Sequence, residues 1–347
     1  MRLRMGWVVR IGFTIGLFIL LFTRVVNLSD LWTEVQQANP AWLALGMLAQ
    51  AAAISCNIVR WDILLKGQGL RVPFGHLTST FFVGRFLGTF LPSTIGLDAY
   101  RAYDIAARTG ATAASVAVIL VEKIIGFFAL SGLIILTLPG GASLISSGAL
   151  LSLLVVFALP VTLAFVLLIR PTLLERALGL PFPARRRLEP KLRSAIEAVS
   201  LYHNQPRRLW SATLMGVGVH LGTVVMYYCI AQSLSAGVTL AQMLFVGPLI
   251  IAATVGLPTI GGEGARELTS IGLLGRLIPQ STAFLTAHLG FWIGLILSLI
   301  GGVLYLLRPA DYRPKIVRQV KGDVVIPAPD RQVNSIAPQP VSDEARG

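Results

Sequence analysis

The sequence predicts an all-α polytopic membrane protein, with about six full spans and two re-entrant, broken helical pairs in an inverted-repeat arrangement. Composition predicts the class. Apolar residues make up 54% of the 347 residues and charged residues only 13%, whereas about a quarter of the residues of a soluble domain are charged. Several apolar runs also reach the roughly 20 residues that cross a bilayer.

Six apolar runs are expected to cross the membrane fully. A segment between the first two, residues 27–40, is predicted to be a loop. It holds Asp30 and Glu34 but no basic residue, so the positive-inside rule places it outside and the N-terminus in the cytoplasm. In chain order the predicted spans are residues 6–26, 41–65, 111–138, 150–169, 209–234 and 282–307.

The net charge of +13 is concentrated in loops. Residues 170–208 carry nine Arg or Lys against three acids, which marks a cytoplasmic loop, and no nucleic-acid partner is expected. We expect residues 1–308 to form a single transmembrane domain. Residues 309–347 should form a largely disordered cytoplasmic tail. The expected location is the bacterial inner membrane, with both termini cytoplasmic.

Two further apolar runs, residues 74–91 and 243–257, each end at a proline. If the first crossed the membrane alone, the basic loop would fall outside. If it enters and returns through the amphipathic residues 98–108, every basic loop stays inside, and the same return in the second copy keeps the tail inside. Two extra full crossings per motif would satisfy the charge rule equally well, and both topologies stay open.

The ends of these two runs carry a repeated motif. Leu-Pro and Thr-Ile-Gly occur in both copies, once Ser93 is looped out, and an acid and an arginine follow in each. A paired interruption in corresponding halves of a membrane protein points to a substrate site. The acids and arginines are Asp98 with Arg101 and Glu263 with Arg266, and the helix-breaking residues are Pro92, Gly96, Pro258, Gly261 and Gly262.

Backbone groups freed at these breaks cannot face lipid and must line protein or a wet cavity. A helix that begins near Asp98 or Glu263 would direct its N-terminal N–H groups at that cavity, which suits a phosphate. We expect the two motifs to meet near the midplane and to face one shared cavity. The alternative is that each acid caps its helix and pairs with its arginine, with no ligand.

Ionisable side chains also occur inside the apolar runs. Glu122 and Lys123 are adjacent in the third span, so they cannot share a helix face and each needs its own partner. Arg85 is a candidate partner for Glu122, although a purely structural buried pair is an equal alternative. The predicted substrate-binding residues are therefore Arg85, Asp98, Arg101, Glu122, Lys123, Glu263, Arg266 and Glu267.

The histidines and the two cysteines are scattered, without the spacing of metal ligands, and there is no nucleophile triad or nucleotide fingerprint. We therefore expect no metal, no cofactor, no catalytic residue and no enzymatic activity.

Four groups of residues match the motifs of a known family. They are Gly84-Arg85-Phe86-Leu87-Gly88-Thr89-Phe90-Leu91-Pro92, then Gly96, Asp98 and Arg101, then Val121-Glu122-Lys123, and Leu257-Pro258 through Glu267. On these residues the chain resembles the flippase-like transmembrane region of the lysylphosphatidylglycerol synthases. One departure is Leu97, which occupies the place of the second glycine of a pair before the first acid. The resemblance implies a stand-alone lipid-moving region, and we expect it to lack the soluble aminoacyl-transfer domain.

From the doubled motif and this resemblance we expect an inner-membrane lipid flippase that moves a phospholipid or lipid-linked headgroup between leaflets by alternating access. One alternative is a secondary transporter of a small anionic solute, with Glu122 for proton coupling. Another is an accessory subunit of a lipid-modifying or lipid-linked glycan pathway. Membrane lipids are the expected partners, together with a second copy of the chain or a lipid-modifying enzyme.

Overall fold

The computed structural model describes residues 28–90, 95–141, 159–170, 200–256 and 261–307, with isolated positions at 16, 19, 144, 148 and 259. Within these residues the regular structure is helical and no strand occurs. The helices, numbered here in chain order, are α1 (Leu28–Gln37), α2 (Pro40–Gly67), α3 (Phe74–Phe90), α4 (Ile95–Thr109), α5 (Thr112–Thr137), α6 (Leu159–Ile169), α7 (Pro206–Ser233), α8 (Leu240–Gly256), α9 (Ala265–Leu274) and α10 (Gln280–Leu307).

Among the described residues, α2, α5 with its 3₁₀ extension to Gly140, α7 and α10 are long and apolar enough to cross a bilayer. They match four of the predicted spans to within a few residues at each end. The predicted first span, residues 6–26, lies outside the described ranges, and so do residues 150–158 of the predicted span 150–169, whose described part is α6. The predicted runs 74–91 and 243–257 correspond to α3 and α8.

Residues 28–37 form α1, so the prediction of a loop there is wrong. Leu28, Leu31, Trp32 and Val35 recur at helical spacing, and this pattern outweighs the acidic residues on which the loop prediction rested. Leu31 packs against the core, and Ser281 Oγ at the start of α10 donates a hydrogen bond to Glu34. α1 is therefore docked on the end of α10.

α2 and α7 pack against each other in antiparallel orientation at the centre of the structure. At one end Asn39 N donates to Ser233 O at 2.9 Å, and at the other Tyr202 Oη donates to Leu64 O at 2.7 Å. Between them, a Cβ added to Gly222 would lie only 2.9 Å from Cβ of Ala53. Glycine is therefore required for this close approach of the two backbones.

Each central helix is followed by three helices in the same order. An apolar helix comes first, then a short helix after the motif, then a long helix, so the two units are α2–α5 and α7–α10. Within each unit the short helix packs against both of its neighbours. Between units, α3 packs against α10 and α8 packs against α5, so the contact is reciprocal.

Candidate functional site

The first motif contributes to a cluster of charges around Glu122, which is buried on α5. Arg60 of α2 donates from Nη2 to Oε1 at 2.9 Å, and Arg101 of α4 donates from Nη1 to the same oxygen at 3.2 Å. Arg101 Nη2 also bonds to Oε2. A carboxylate held by two buried guanidinium groups is fixed in place and keeps its charge.

The rest of this cluster surrounds Arg101. Its guanidinium stacks over the rings of Trp61 and Phe81, at 4.2 and 5.0 Å from the ring centroids. Asp98 lies 3.6 Å from Arg101 Nη1, and its other oxygen lies 2.7 Å from Lys123 Nζ. Three cations against two carboxylates leave a formal charge of +1 on what we call the Glu122 cluster: Arg60, Asp98, Arg101, Glu122 and Lys123.

Two expectations for this motif are corrected. Arg85 is not the partner of Glu122, because Arg60 and Arg101 occupy both oxygens of that carboxylate. Gly96 does not break a helix, since it lies in the first turn of α4, which begins at Ile95 and holds Asp98 in the same turn. Pro92, where the sequence predicts the break, lies outside the described residues.

The second motif builds another cluster, around the buried Glu267. Its Oε2 accepts a hydrogen bond from Gly264 N at 2.7 Å, and its Oε1 accepts one from Arg266 Nε at 2.9 Å. His288 Nδ1 of α10 lies 3.4 Å from Oε1, and Glu263 Oε1 lies 3.9 Å from Arg266 Nη2. We call Glu263, Arg266, Glu267 and His288 the Glu267 cluster.

The backbone before α9 turns through glycines with positive φ. Gly261, Gly262 and Gly264 have φ of 62°, 78° and 79°, values that side chains disfavour. A Cβ at Gly262 would lie 2.1 Å from Cγ2 of Thr254, so space as well as conformation requires glycine there. The two glycines named from the sequence interrupt the helix, and Gly264 is a third. Pro258 lies outside the described residues.

Trp292 fixes the tautomer of His288. Its indole Nε1, which can only donate, lies 3.1 Å from His288 Nε2, so that nitrogen accepts and the ring proton is on Nδ1, where it faces Glu267. Burial alone would raise the pKa of Glu267, but hydrogen bonds from His288 and Arg266 outweigh it and lower that pKa. Burial raises the pKa of Glu263 above its ordinary value, against a smaller opposing effect of Arg266.

The two clusters lie at different depths, and the expectation that they face one common cavity stays a prediction. Arg60 belongs to the Glu122 cluster. Gly46, also on α2, lies beside Ile293 of α10. Phe291, two residues earlier on α10, lies beneath the Arg266 guanidinium, so Gly46 marks the level of the Glu267 cluster on α2. Arg60 and Gly46 are about 21 Å apart along α2 at 1.5 Å per residue. Within the described residues no ion pair joins one cluster to the other.

Arg85 lies between the clusters, half-buried where α3 packs on α10. Its Nε donates to Ser298 Oγ at 3.0 Å, and a Cβ at Gly294 would lie 3.2 Å from its Nη2. On α3, Arg85 lies one turn after Phe81, which contacts the Glu122 cluster, and the two side chains share a helix face. On α10, Gly294 lies three residues after Phe291, which contacts the Glu267 cluster, so these two residues share a helix face as well. No carboxylate pairs with Arg85 in the part of the chain that the structure describes.

Comparison with known proteins identifies the family. The lysylphosphatidylglycerol synthase transmembrane region matches residues 7–302. The chain belongs to this family. It is also 24% identical over 323 residues to a UPF0104 membrane protein of Pyrococcus horikoshii, an alignment that covers 85% of this chain and 95% of that protein. Family and spanning helices together make it a multi-pass membrane protein.

Sequence reasoning missed Arg60 and His288. Arg60 lies near the basic end of a predicted span, where arginine is typical of a cytoplasmic flank, although Trp61 and Asp62 continue the helix past it. His288 was examined only for metal spacing. The described residues hold no group of three or more metal-ligating side chains. The spacing of His288 and Trp292, four residues apart on one helix face, was the available signal.

Proposed function

We propose that this protein moves a phospholipid or lipid-linked headgroup between the leaflets of a bacterial inner membrane, and that Arg85 binds the headgroup phosphate. The observation that carries the proposal is an arginine without a carboxylate partner among the described residues, placed between two charged clusters. Membership in a family named for an enzyme of phospholipid synthesis supports a lipid as the cargo.

The energetics of Arg85 support a ligand. An arginine at the centre of a membrane helix costs about 2.5–3.5 kcal/mol on insertion scales, and such residues usually face the protein interior or a water-filled cavity. Ser298 satisfies only Nε. The remaining guanidinium N–H groups can bind two phosphate oxygens at once, a geometry that lysine does not offer.

The arrangement of the units supports alternating access. The central helices α2 and α7 are antiparallel, and each unit places its second helix on the last helix of the other unit. We infer an inverted-topology repeat, with α3–α4 and α8–α9 as re-entrant pairs that enter from opposite sides. In this proposal, movement at the α3–α10 and α5–α8 contacts exposes Arg85 to one leaflet and then to the other.

Basic residues suggest the orientation. Lys66 ends α2, and Arg207 and Arg208 begin α7, so this end of the central pair faces the cytoplasm under the positive-inside rule. The Glu122 cluster then lies toward the cytoplasmic leaflet and the Glu267 cluster toward the outer leaflet. Both termini would be cytoplasmic, as the sequence predicts.

The residues of the Glu122 cluster would act mainly in positioning. In the Glu122 cluster both carboxylates have cationic partners, so Asp98, Arg101 and Lys123 hold α4 against α5. We propose no catalytic step and no cofactor. A second copy of the chain or a lipid-modifying enzyme remains the proposed protein partner.

The test is reconstitution in liposomes that contain a fluorescent phospholipid, followed by chemical quenching of the outer leaflet. Arg85→Gln should slow lipid movement at least tenfold, because the amide carries no charge. Arg71→Gln removes an exposed loop arginine and should stay within twofold of wild type. Equal rates for Arg85→Gln and wild type would rule out the assignment of Arg85.

A second arm of the same experiment loads the liposomes with inorganic phosphate. Phosphate efflux without lipid movement would favour the alternative of a small-anion transporter. Glu122 does not suit proton coupling in that alternative, since two arginines hold its charge.

A further inference from the structure

We propose that Glu263 is a proton-binding site, and that its protonation makes Arg266 available to the phosphate of a lipid headgroup. This inference rests on the proposed lipid movement and adds its energy source, a proton gradient.

The acids of the two motifs, alike in sequence, differ in their surroundings. Asp98 has two cationic partners, at 2.7 and 3.6 Å. Among the described residues Glu263 has one ion-pair partner, Arg266, at 3.9 Å, which is beyond hydrogen-bond distance. Its side chain is 27% exposed, so water can reach it. Glu263 is therefore placed to gain and lose a proton, whereas Asp98 lies between two cations.

The charge balance of the Glu267 cluster favours a proton on Glu263. Glu267 is ionised, because Gly264 N, Arg266 Nε and His288 Nδ1 all face its oxygens. His288 is neutral, because its Nε2 accepts from Trp292. Arg266 then balances Glu267, and an ionised Glu263 leaves one excess negative charge. Burial of an uncompensated charge is costly, and protonation of Glu263 removes it.

No other charged group alters this balance within the described residues. α9 and the turn before it contribute Arg266 and Glu267, and α10 contributes His288. From α7, Tyr227 lies near enough to act on Arg266 and Glu267. Residues 240–256 of α8 include no titratable side chain. Burial raises the pKa of Glu263, in agreement with this balance.

Arg266 supplies the link to the headgroup. Its Nη2 is buried and has no hydrogen-bond partner among the described residues, while its Nε is bound to Glu267. While Glu263 is ionised, it competes with a phosphate for this nitrogen. Once an O–H bond forms on Glu263 with a proton from water, Nη2 is left to a phosphate oxygen. When the headgroup leaves, that O–H bond breaks and the proton returns to water, with no other covalent change.

Infrared difference spectroscopy of the purified full-length protein in liposomes tests the proton site directly. Between acid and alkaline pH many carboxyl groups titrate, and wild type should show one component of the protonated-carboxyl band that is absent in Glu263→Gln. Asp62→Asn removes a carboxylate that pairs with Lys66 at the end of α2, and it should keep that component. The same band in Glu263→Gln as in wild type, with no component lost, would overturn the proposal, whether or not the protein moves lipids.

Lipid movement under an imposed pH gradient tests the coupling. Wild type and Asp62→Asn should move lipid at least threefold faster with the gradient than without it. Glu263→Gln should move lipid at one rate in both conditions, because its amide mimics the protonated acid. Lipid movement by wild type that ignores the gradient would overturn the coupling and leave the proposed function standing. No lipid movement by wild type would contradict the proposed function itself.

Discussion

Arg101 and Glu122 form a two-point ion pair between α4 and α5, with Nη1 3.2 Å from Oε1 and Nη2 2.5 Å from Oε2. The same carboxylate also accepts from Arg60, so a single side chain holds three helices together. Both oxygens of this buried carboxylate are therefore held by guanidinium groups. Its removal should affect stability before it affects any transport step.

We predict that Glu122→Gln destabilises the protein by about 3–5 kcal/mol, because it leaves the buried Arg60 without a counter-charge among the described residues and leaves Arg101 only the more distant Asp98. Thermal unfolding in detergent, followed by size-exclusion chromatography, measures this loss. Lys123→Gln is the control. Lys123 is about half exposed, and its ion pair among the described residues is with Asp98, so its loss should cost less than about 1 kcal/mol. Similar losses in both variants would contradict the assignment.

The antiparallel packing of α2 on α7 predicts disulfides with the native cysteines. A Cβ at Gly46 would lie 3.4 Å from Cβ of Cys229, and one at Gly218 would lie 3.6 Å from Cβ of Cys56. Disulfide Cβ atoms are typically about 3.5–4.5 Å apart. Gly46→Cys and Gly218→Cys should therefore each cross-link under mild oxidation.

Proteolysis between the two helices, followed by non-reducing electrophoresis, detects these bonds. Gly132→Cys has nothing within 4 Å of its Cβ and should stay unlinked. Cross-linking at one position but not at the other would indicate a different register, since the two sites lie about 15 Å apart along α2 at 1.5 Å per residue.

Gly294 leaves room for the Arg85 guanidinium. A Cβ there would lie 3.2 Å from Arg85 Nη2, so Gly294→Ala should push the arginine aside. We expect slower lipid movement with little change in melting temperature, because the displaced group is the end of a flexible side chain. Gly132→Ala, a helical glycine with open space, should leave the rate unchanged. Equal rates for the two variants would argue against a role for the position of Arg85.

The burial of Tyr202 predicts that the protein loses folding stability at alkaline pH. Burial raises the pKa of Tyr202 well above the ordinary value of 10, and the neutral hydroxyl donates to Leu64 O. The stability it contributes is complete below the pKa of the unfolded chain and is lost as pH rises through the higher folded pKa. Wild type should therefore lose more stability than Tyr202→Phe between about pH 9 and 12. Parallel losses of melting temperature across that range would contradict this.

The long spans could be predicted because length and apolar composition alone decide whether a helix crosses a bilayer. The helix α1 was not predicted, because the loop prediction considered only the acidic residues of this segment and not the helical spacing of its apolar side chains. The partner of Arg85 could not be predicted, because it depends on Ser298, more than two hundred residues away, and on how α3 rotates against α10. Arg60 was missed for a related reason. Its distance from Glu122 is set by packing between α2 and α5, which sequence spacing does not encode.

The repeated motif predicted residues of both charged clusters, but it did not predict that the two acids have different partners. Asp98 and Glu263 occupy equivalent places in the sequence, yet one has a lysine partner from the next helix and the other has none within the described residues. The difference depends on Lys123, which has no counterpart in the second motif. Residues that lie outside the repeated sequence motif, such as Lys123 on α5, thus determine how the surroundings of the two acids differ.

The glycine contact between Gly222 and Ala53 has a mechanical consequence. Two backbones this close have no side-chain layer that could deform, so α2 and α7 cannot slide past each other without a steric clash. The pair of α2 and α7 would stay fixed while the outer helices rotate around it. A covalent bond between α2 and α7 should therefore leave the rate of lipid movement unchanged, whereas a bond between α3 and α10 should stop lipid movement.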